Sequence, residues 1–328
     1  MTISWHELDS RTDEHLAHGE HVLGAIVVGG ADLALNHPVL SIDMDVLGAD
    51  GLTSAFMTQL RTNQPVTISH IPCDDGIFTL TQTAEHLFGV LELNPELDIQ
   101  AASYRAYKAL LESCLDMDKP HLLRLWNFIP RITALENGEE RYRLFNTGRR
   151  EALIEEGYLA KYGAPAACAL GTHRGALKIA FLAATRPCTP IENPRQISAY
   201  NYPKDYGFNP PIFSRAAWFA QDGGKDILFL SGTASIVGHQ SLHLGDVALQ
   251  THETVKNIQA VLQEANRLVD RNLWDLKNLQ GQVFVRNPAD MATIQGILKK
   301  HELVNFTYVH ADVCRAELLV EIEAYAQL

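Results

Sequence analysis

The chain has 328 residues, 46% of them hydrophobic and 20% charged, enough to bury a full core and more in keeping with two domains than with one. Its 39 acidic against 27 basic residues leave a formal charge of −12, which argues against nucleic acid or an anionic membrane as the main partner. No run approaches the ~18 apolar residues needed to span a bilayer, and five widely spaced cysteines with no secretory leader ahead of them read as reduced thiols in a cytoplasmic protein.

Residues 1–21 are polar and carry His15, His18 and His21 at three-residue steps, which would share one face of a helix. A solvated leading segment is preferred to a metal face. Residues 23–28 read as a short apolar strand closed by a turn at Gly29 and Gly30, since GAIVVGG lacks the spacing of a dinucleotide-binding loop. Residues 39–46 and 65–71 read as strands, and the segment 76–93 continues them. The placing of Ala102, Tyr107, Leu110 and Leu111 predicts an amphipathic helix over 99–114. A strand at 122–129 stopped by Pro130, a helix at 141–157 and a strand pair at 166–184 complete the first half.

The second half replays this order, with a strand at 227–231, a long helix at 246–269, a strand at 280–285, a helix at 288–301 and a closing strand pair at 306–326. An internal duplication is the economical explanation. Setting 169–184 beside 311–326 places Thr172 opposite Cys314, Ile179 opposite Glu321 and Phe181 opposite Glu323, so the second copy is charged where the first is apolar. On packing alone the apolar residue would be chosen. The first copy then reads as a scaffold and the second as the bearer of a site. Between the halves, residues 185–211 hold Pro187, Pro190, Pro194, Pro203, Pro210 and Pro211, which fix an extended, irregular connection. Tyr200, Tyr202 and Tyr206 within it, and Arg215 just beyond, form either the rim of a pocket or the packing of a linker.

The closing segment, YVHADVCRAELLVEIEAYAQL at 308–328, alternates ionisable and aliphatic residues. A period of two puts Glu321 and Glu323 on one face of a strand and Val320 and Ile322 on the other. A turn at about 315–317 would fold the preceding strand back and bring the Cys314 thiol to the start of the acidic strand. The alternative is an amphipathic strand that shows two glutamates to water.

The last hundred residues resemble the reactive-intermediate deaminase family: Ser231-Gly232, Gly245-Asp246, Gln250-Thr251, Asn257 and the closing VEIEA at 320–324 stand where that family has an SG turn, a GD-x-x-x-Q-T helix and its last strand. Two copies of such a fold, together with RLWNFIPRI, ERYRLFNTGRREA, YNYPKDYG and ADVCRAELLVEIEA, are similar to the chorismatase family, and within it to the 3-hydroxybenzoate synthase branch. The resemblance implies an α+β fold of two related domains, 1–185 and 186–328, each a mixed β-sheet packed by helices on one face. It implies cofactor-free, metal-free removal of pyruvate from chorismate, with 3-hydroxybenzoate and some 4-hydroxybenzoate as products, in a pocket of the C-terminal half. Glu321 matches the family's catalytic glutamate. Cys314 matches the position that divides the family by product, cysteine going with hydroxybenzoate and alanine with hydrolysis to a dihydrodiol. Ala234, two residues after Gly232 in SGTAS, matches a second position that varies between subtypes. Deaminase relatives are trimers with sites between subunits, and two fused copies bury one such contact internally, so a monomer or homodimer is expected.

These residue types suit the chemistry. The enol ether of chorismate is unreactive until its terminal methylene takes a proton, and a carboxyl group desolvated among apolar strands, as Glu321 would be, can hold one near neutral pH. The substrate's two carboxylates call for arginines, for which Arg149 and Arg215 are the candidates, with Tyr142 and Tyr202 as hydrogen-bond donors at the rim. The competing readings are an imine or enamine deaminase-like hydrolase and a non-catalytic small-molecule binder. The deaminases carry an arginine on the strand before the closing one, and NFTYVHADV has none.

Overall fold

The computed structural model describes residues 2–9, 19–29, 37–49, 56–73, 76–93, 98–203 and 209–328; Gly30, His15, His18 and Tyr206 of the sequence reading lie outside them. The chain opens with strands β1 (Ile3–Asp9), β2 (His21–Val28), β3 (Val39–Ile42), β4 (Val46–Ala49) and β5 (Phe56–Thr62). A first repeat follows: β6 (Thr67–Cys73), β7 (Gly76–Gln82), β8 (His86–Glu92), α1 (Ile99–Asp116), β9 (His121–Pro130), the small hairpin β10 (Leu135–Glu136) and β11 (Glu139–Glu140), α2 (Arg141–Glu155), α3 (Tyr158–Tyr162), β12 (Ala166–Thr172) and β13 (Lys178–Ala184). The second comprises β14 (Thr189–Ile191), β15 (Ala216–Phe219), β16 (Ile227–Thr233), the hairpin β17 (Ile236–Val237) and β18 (Gln240–Ser241), α4 (Val247–Val269), β19 (Gln280–Val285), α5 (Met291–Lys300), β20 (Asn305–His310) and β21 (Val320–Gln327).

The duplication is plain in the sheets. The first repeat is ordered β12-β9-β13-β8-β7-β6, and the second β20-β19-β21-β16-β15-β14. In both, one outer pair is parallel (β12 with β9, β20 with β19) and the remaining pairs are antiparallel. The expected boundary at 185/186 falls between β13 and β14. The N-terminal strands belong to neither repeat: β1-β5-β2-β3 form a sheet of their own, and β4 joins the edge of the second sheet beside β20.

Helices cover one face of each repeat. α1 starts at Asp98, whose carboxylate accepts from the Ala101 amide at 2.9 Å, and buries Ala102, Ala106, Tyr107, Leu110 and Leu111 at the three- and four-residue spacing of an amphipathic helix. It lies with α2 over Leu125, Ile179 and Phe181. α4 begins after Gly245 in the left-handed region (φ +77°) and is capped by Asp246, which accepts from the Leu249 amide at 2.9 Å. With α5 it covers Val283, Val320 and Ile322. The faces turned away from the helices share a third core with the N-terminal sheet, in which Ile3, Trp5, Trp126, Phe229 and Tyr325 meet.

Several expectations are corrected here. Neither strand pair, 166–184 or 306–326, is a hairpin: β9 lies between β12 and β13, and β19 between β20 and β21, because each preceding strand runs parallel to its neighbour and the chain must cross over. Residues 39–46 are not one strand but parts of β3 and β4, which diverge into different sheets. The leading segment is not wholly solvated, since Ile3 and Trp5 alternate into the core. The alignment of the copies is also one residue out of phase. Ile179 packs beneath the helices of its repeat, whereas Glu321 lies on the opposite face of its sheet, and a slip of one residue exchanges faces. An offset that keeps faces equivalent sets residues such as Ala180 opposite Glu321.

Candidate active site

β21 supplies the acid. Val320, Ile322, Ala324 and Ala326 point under the helices, as the alternation predicts, and Glu321 and Glu323 point the other way, 4% and 5% exposed. The two carboxyls have different surroundings. Glu323 is paired across the sheets with Arg124 of β9 at 2.8 Å, and Arg124 also donates to the Leu230 carbonyl at 3.0 Å. The surroundings that act on Glu321 are burial first, then the charge of Glu323, opposed by Arg124 and Arg286; together they push it up to about 8. Its carboxyl rests against Gly232, where a Cβ would meet Oε1 at 2.0 Å. Gly232 lies where β16 changes register between Leu230 and Thr233, a bulge that sets this glycine beside the acid.

The remaining side chains come from both repeats. A cavity of about 190 Å³ is lined by Glu321, Cys314, Gly232, Ala234, Tyr202 and Arg215 of the second half and by Tyr142, Arg149 and Cys168 of the first. All eight site residues singled out in the sequence therefore face one space. The cavity belongs to the junction of the repeats, not to the C-terminal half, and the first copy is more than a scaffold. Ser231 ties the junction: its hydroxyl accepts from the Ala167 amide of β12 at 2.9 Å and donates to the Ser214 carbonyl at 2.6 Å. Gly171, at the end of β12, exchanges backbone hydrogen bonds with Asp312 (2.8 and 3.2 Å), an approach that a Cβ would block.

The segment between β20 and β21 carries Cys314. Arg286, at the end of β19, donates to the carbonyls of Val313, Arg315 and Leu318 (2.9, 3.1 and 2.8 Å) and pairs with Asp312 at 2.5 Å, which fixes this irregular stretch. Burial and the neighbouring Glu321 push the Cys314 thiol up to about 12, so it is a neutral thiol. Tyr142 faces both groups; burial and then Cys314 raise its phenol, while Asn146 hydrogen-bonds it.

Neither arginine is ion-paired to a carboxylate among the described residues, although Glu192 lies near enough to Arg215 to feel its charge. Arg149 is 3% exposed and stacked over the Tyr107 ring at 4.9 Å, and its Nε and Nη2 have no partner among the described residues. α2 can place it there because Gly148 lets that helix touch the Gln100 carbonyl of α1. Arg215, 5% exposed, lies between the rings of Phe213 and Tyr202 and donates through Nη2 to the Tyr202 hydroxyl (2.8 Å) and the Ile197 carbonyl (3.0 Å), leaving Nε unpaired among the described residues. Desolvated guanidinium groups with free donors suit an anionic ligand.

The deaminase-like motif supports this site from behind. Gln250 of α4 donates to the Glu317 carbonyl (2.9 Å) and accepts from the Leu319 amide (2.8 Å), while Asn257 donates to the carbonyls of Ala234 and Ile236 (2.9 and 2.8 Å). Sequence reasoning did not single out Cys168, Thr233, Gln196, Phe213 or Arg143, which also line the cavity. Cys168 lies on β12, the edge strand of the first sheet, and nothing in the sequence marks that edge as the one that meets the other repeat.

This duplicated fold with a buried carboxyl and two buried arginines at the junction of its repeats defines a class of small-molecule enzyme. The family model described as chorismatase FkbO/Hyg5-like, N-terminal, matches residues 62–183, which is nearly the whole first repeat. A chorismatase of Streptomyces rapamycinicus is 35% identical over 76% of this chain and 76% of its own length. A 3-hydroxybenzoate synthase of Streptomyces hygroscopicus is 32% identical over 93% of this chain and 91% of its own. A chorismatase crystal structure superposes with a TM-score of 0.86, at 27% identity, over 99% of this chain and 98% of that one. The chain belongs to the chorismatase family.

Proposed function

We propose that this chain converts chorismate to 3-hydroxybenzoate and pyruvate, with some 4-hydroxybenzoate. The observation that carries the reading is the coexistence in one cavity of a buried carboxyl, which desolvation holds above its ordinary range, and two buried arginines with donors that have no partner among the described residues. Glu321 donates its proton to the terminal methylene of the enol ether, the bond between the ring carbon and the ether oxygen breaks so that the side chain leaves as pyruvate with that oxygen, and the ring gives up one proton as it aromatises, which restores the acid. Arg149 and Arg215 hold the two carboxylates of the dianion, and Tyr142 and Tyr202 close the rim. The remaining ring atoms aromatise to the hydroxybenzoate with no net gain or loss of water, since the two products together have the composition of chorismate. Cys314, neutral and at the cavity wall, directs the ring toward hydroxybenzoate and away from hydrolysis.

The protein acts on this small molecule without nucleic acid or membrane, as a monomer or homodimer. No helix among the described residues is long and apolar enough to cross a membrane. The cytoplasm is the compartment that suits its free thiols. The test is incubation of purified protein with chorismate and chromatographic identification of the aromatic products: 3-hydroxybenzoate, together with the 4-isomer in an amount that makes their sum equal to the pyruvate released, is expected, and unconsumed chorismate would refute the reading.

A further inference from the structure

Two glutamates on one face of β21 present a problem that the acid chemistry alone does not solve. Both are buried, they are adjacent on that face at roughly 6–7 Å along the strand, and only one can serve as the donor if the other is to stay out of the reaction. Two buried carboxyls so placed would share protons as a dyad unless something separates their titrations. In this fold something does. Arg124 reaches from β9 of the first repeat into the second sheet, pairs with Glu323 at 2.8 Å and donates to the Leu230 carbonyl at 3.0 Å. The pair is sealed by aromatic rings: Arg124 lies 5.4 Å from the Trp126 ring centre, and Trp5 of the N-terminal sheet stacks on Trp126 and packs against Tyr325 at 5.4 and 4.7 Å. Neither Arg124 nor Glu323 lines the cavity.

We infer that Arg124 is a positioning residue for the acid step: it holds the Glu323 carboxylate in a buried ion pair outside the cavity, so that Glu321 alone presents a carboxyl to the substrate. This deepens the proposed chorismate reaction and rests on it. The first repeat thus acts on the acid of the second through a charge that never touches substrate. The groups that face Glu321 are Glu323 on its own strand, Arg124 of β9, Arg286 directly after β19, Cys168 of β12, Tyr142 of α2 and Cys314 of the preceding segment. Among them only Arg124 and Glu323 form a buried ion pair with each other.

The test is the alkaline limb of kcat/KM for pyruvate release from chorismate, which in the unaltered enzyme should fall through about pH 8. Glu323→Gln removes the negative neighbour and leaves the cation, so the limb should move down by about one to two pH units. Arg124→Gln leaves two carboxyls to share one proton, so the limb should move up by a similar amount. The double variant Arg124→Gln/Glu323→Gln removes both charges together and should return the limb to within about half a unit, and Arg124→Lys should hold it. A structural role alone would lower rate or stability without shifts of opposite sign. Should Arg124→Gln be too unstable to assay, Glu323→Gln beside the double variant still decides: the limb, or the midpoint of an infrared titration of the carboxyl band in the ligand-free protein, should fall in the first and return in the second. Unmoved limbs, or single shifts of one sign, overturn the inference. Absence of any chorismate turnover by the unaltered protein would instead refute the proposed function, and the infrared titration would still decide the charge arrangement.

Discussion

Replacing Glu321 by Gln should stabilise the fold in a pH-dependent way, because the acid is kept where its charge is poorly solvated. Between the ordinary carboxyl value of 4.5 and the value of about 8 imposed by burial, the folded chain retains a proton that the unfolded chain has lost, so stability falls as pH rises across that window. Below it both states are protonated, and above it both are ionised and the loss levels off. At about 1.36 kcal/mol per unit, the stability deficit attributable to Glu321 grows by about 3 kcal/mol from pH 5 to pH 7.5. Glu321→Gln keeps the shape and removes this titration. The amide has a burial cost of its own, but it is the same at every pH, and other titrating groups cancel between the two proteins. Urea unfolding of both at pH 5, 6, 7 and 7.5 gives the difference as a function of pH. A difference that rises by roughly 3 kcal/mol in favour of the variant is expected. A flat difference would show that Glu321 titrates normally in the fold, and the account of the acid would fail with it.

Gly232→Ala should drive a Cβ into the Glu321 carboxyl, which it would meet at 2.0 Å, and misplace the acid by enough to lower kcat on the order of 10²-fold, measured as pyruvate release with unfolding followed in parallel. Cys314→Ala should leave chorismate turnover in place and shift the product from hydroxybenzoate toward a dihydrodiol; an unchanged product ratio on chromatography would make the thiol a bystander. Arg149→Ala and Arg215→Ala should each raise KM, with a loss on the order of 1.5–3 kcal/mol per charged contact, and normal kinetics in both would leave the substrate carboxylates without their anchors.

The site was legible in the sequence to the extent that chemistry is local. Glu321 and Glu323 share a face because a strand has a period of two, and Gly232, Gln250 and Asn257 sit in a motif whose spacing survives in this chain. What a period cannot convey is which strands are neighbours. The segment from Cys314 to Glu321 looks like a hairpin turn, yet β19, some thirty-five residues earlier, occupies the place between β20 and β21, and only the crossed-over path brings Arg286 onto the Cys314 segment. The role of the first repeat was hidden for the same reason. Cys168 and Arg124 are unremarkable in a buried strand until the edge of one sheet is laid along the face of the other. The strand β1 was missed because its alternation of Ile3 and Trp5 with polar residues is too short to stand out in a polar leader.

The central claim is that one buried carboxyl, Glu321, protonates chorismate, and the most direct measurement sets pyruvate release by Glu321→Gln beside that of the unaltered protein, with chorismate affinity taken by calorimetry on the same samples. Loss of a proton donor typically costs on the order of 10²–10⁴-fold in rate. A fall of that size with affinity retained is predicted; near-normal turnover by Glu321→Gln would place the proton elsewhere and contradict the mechanism.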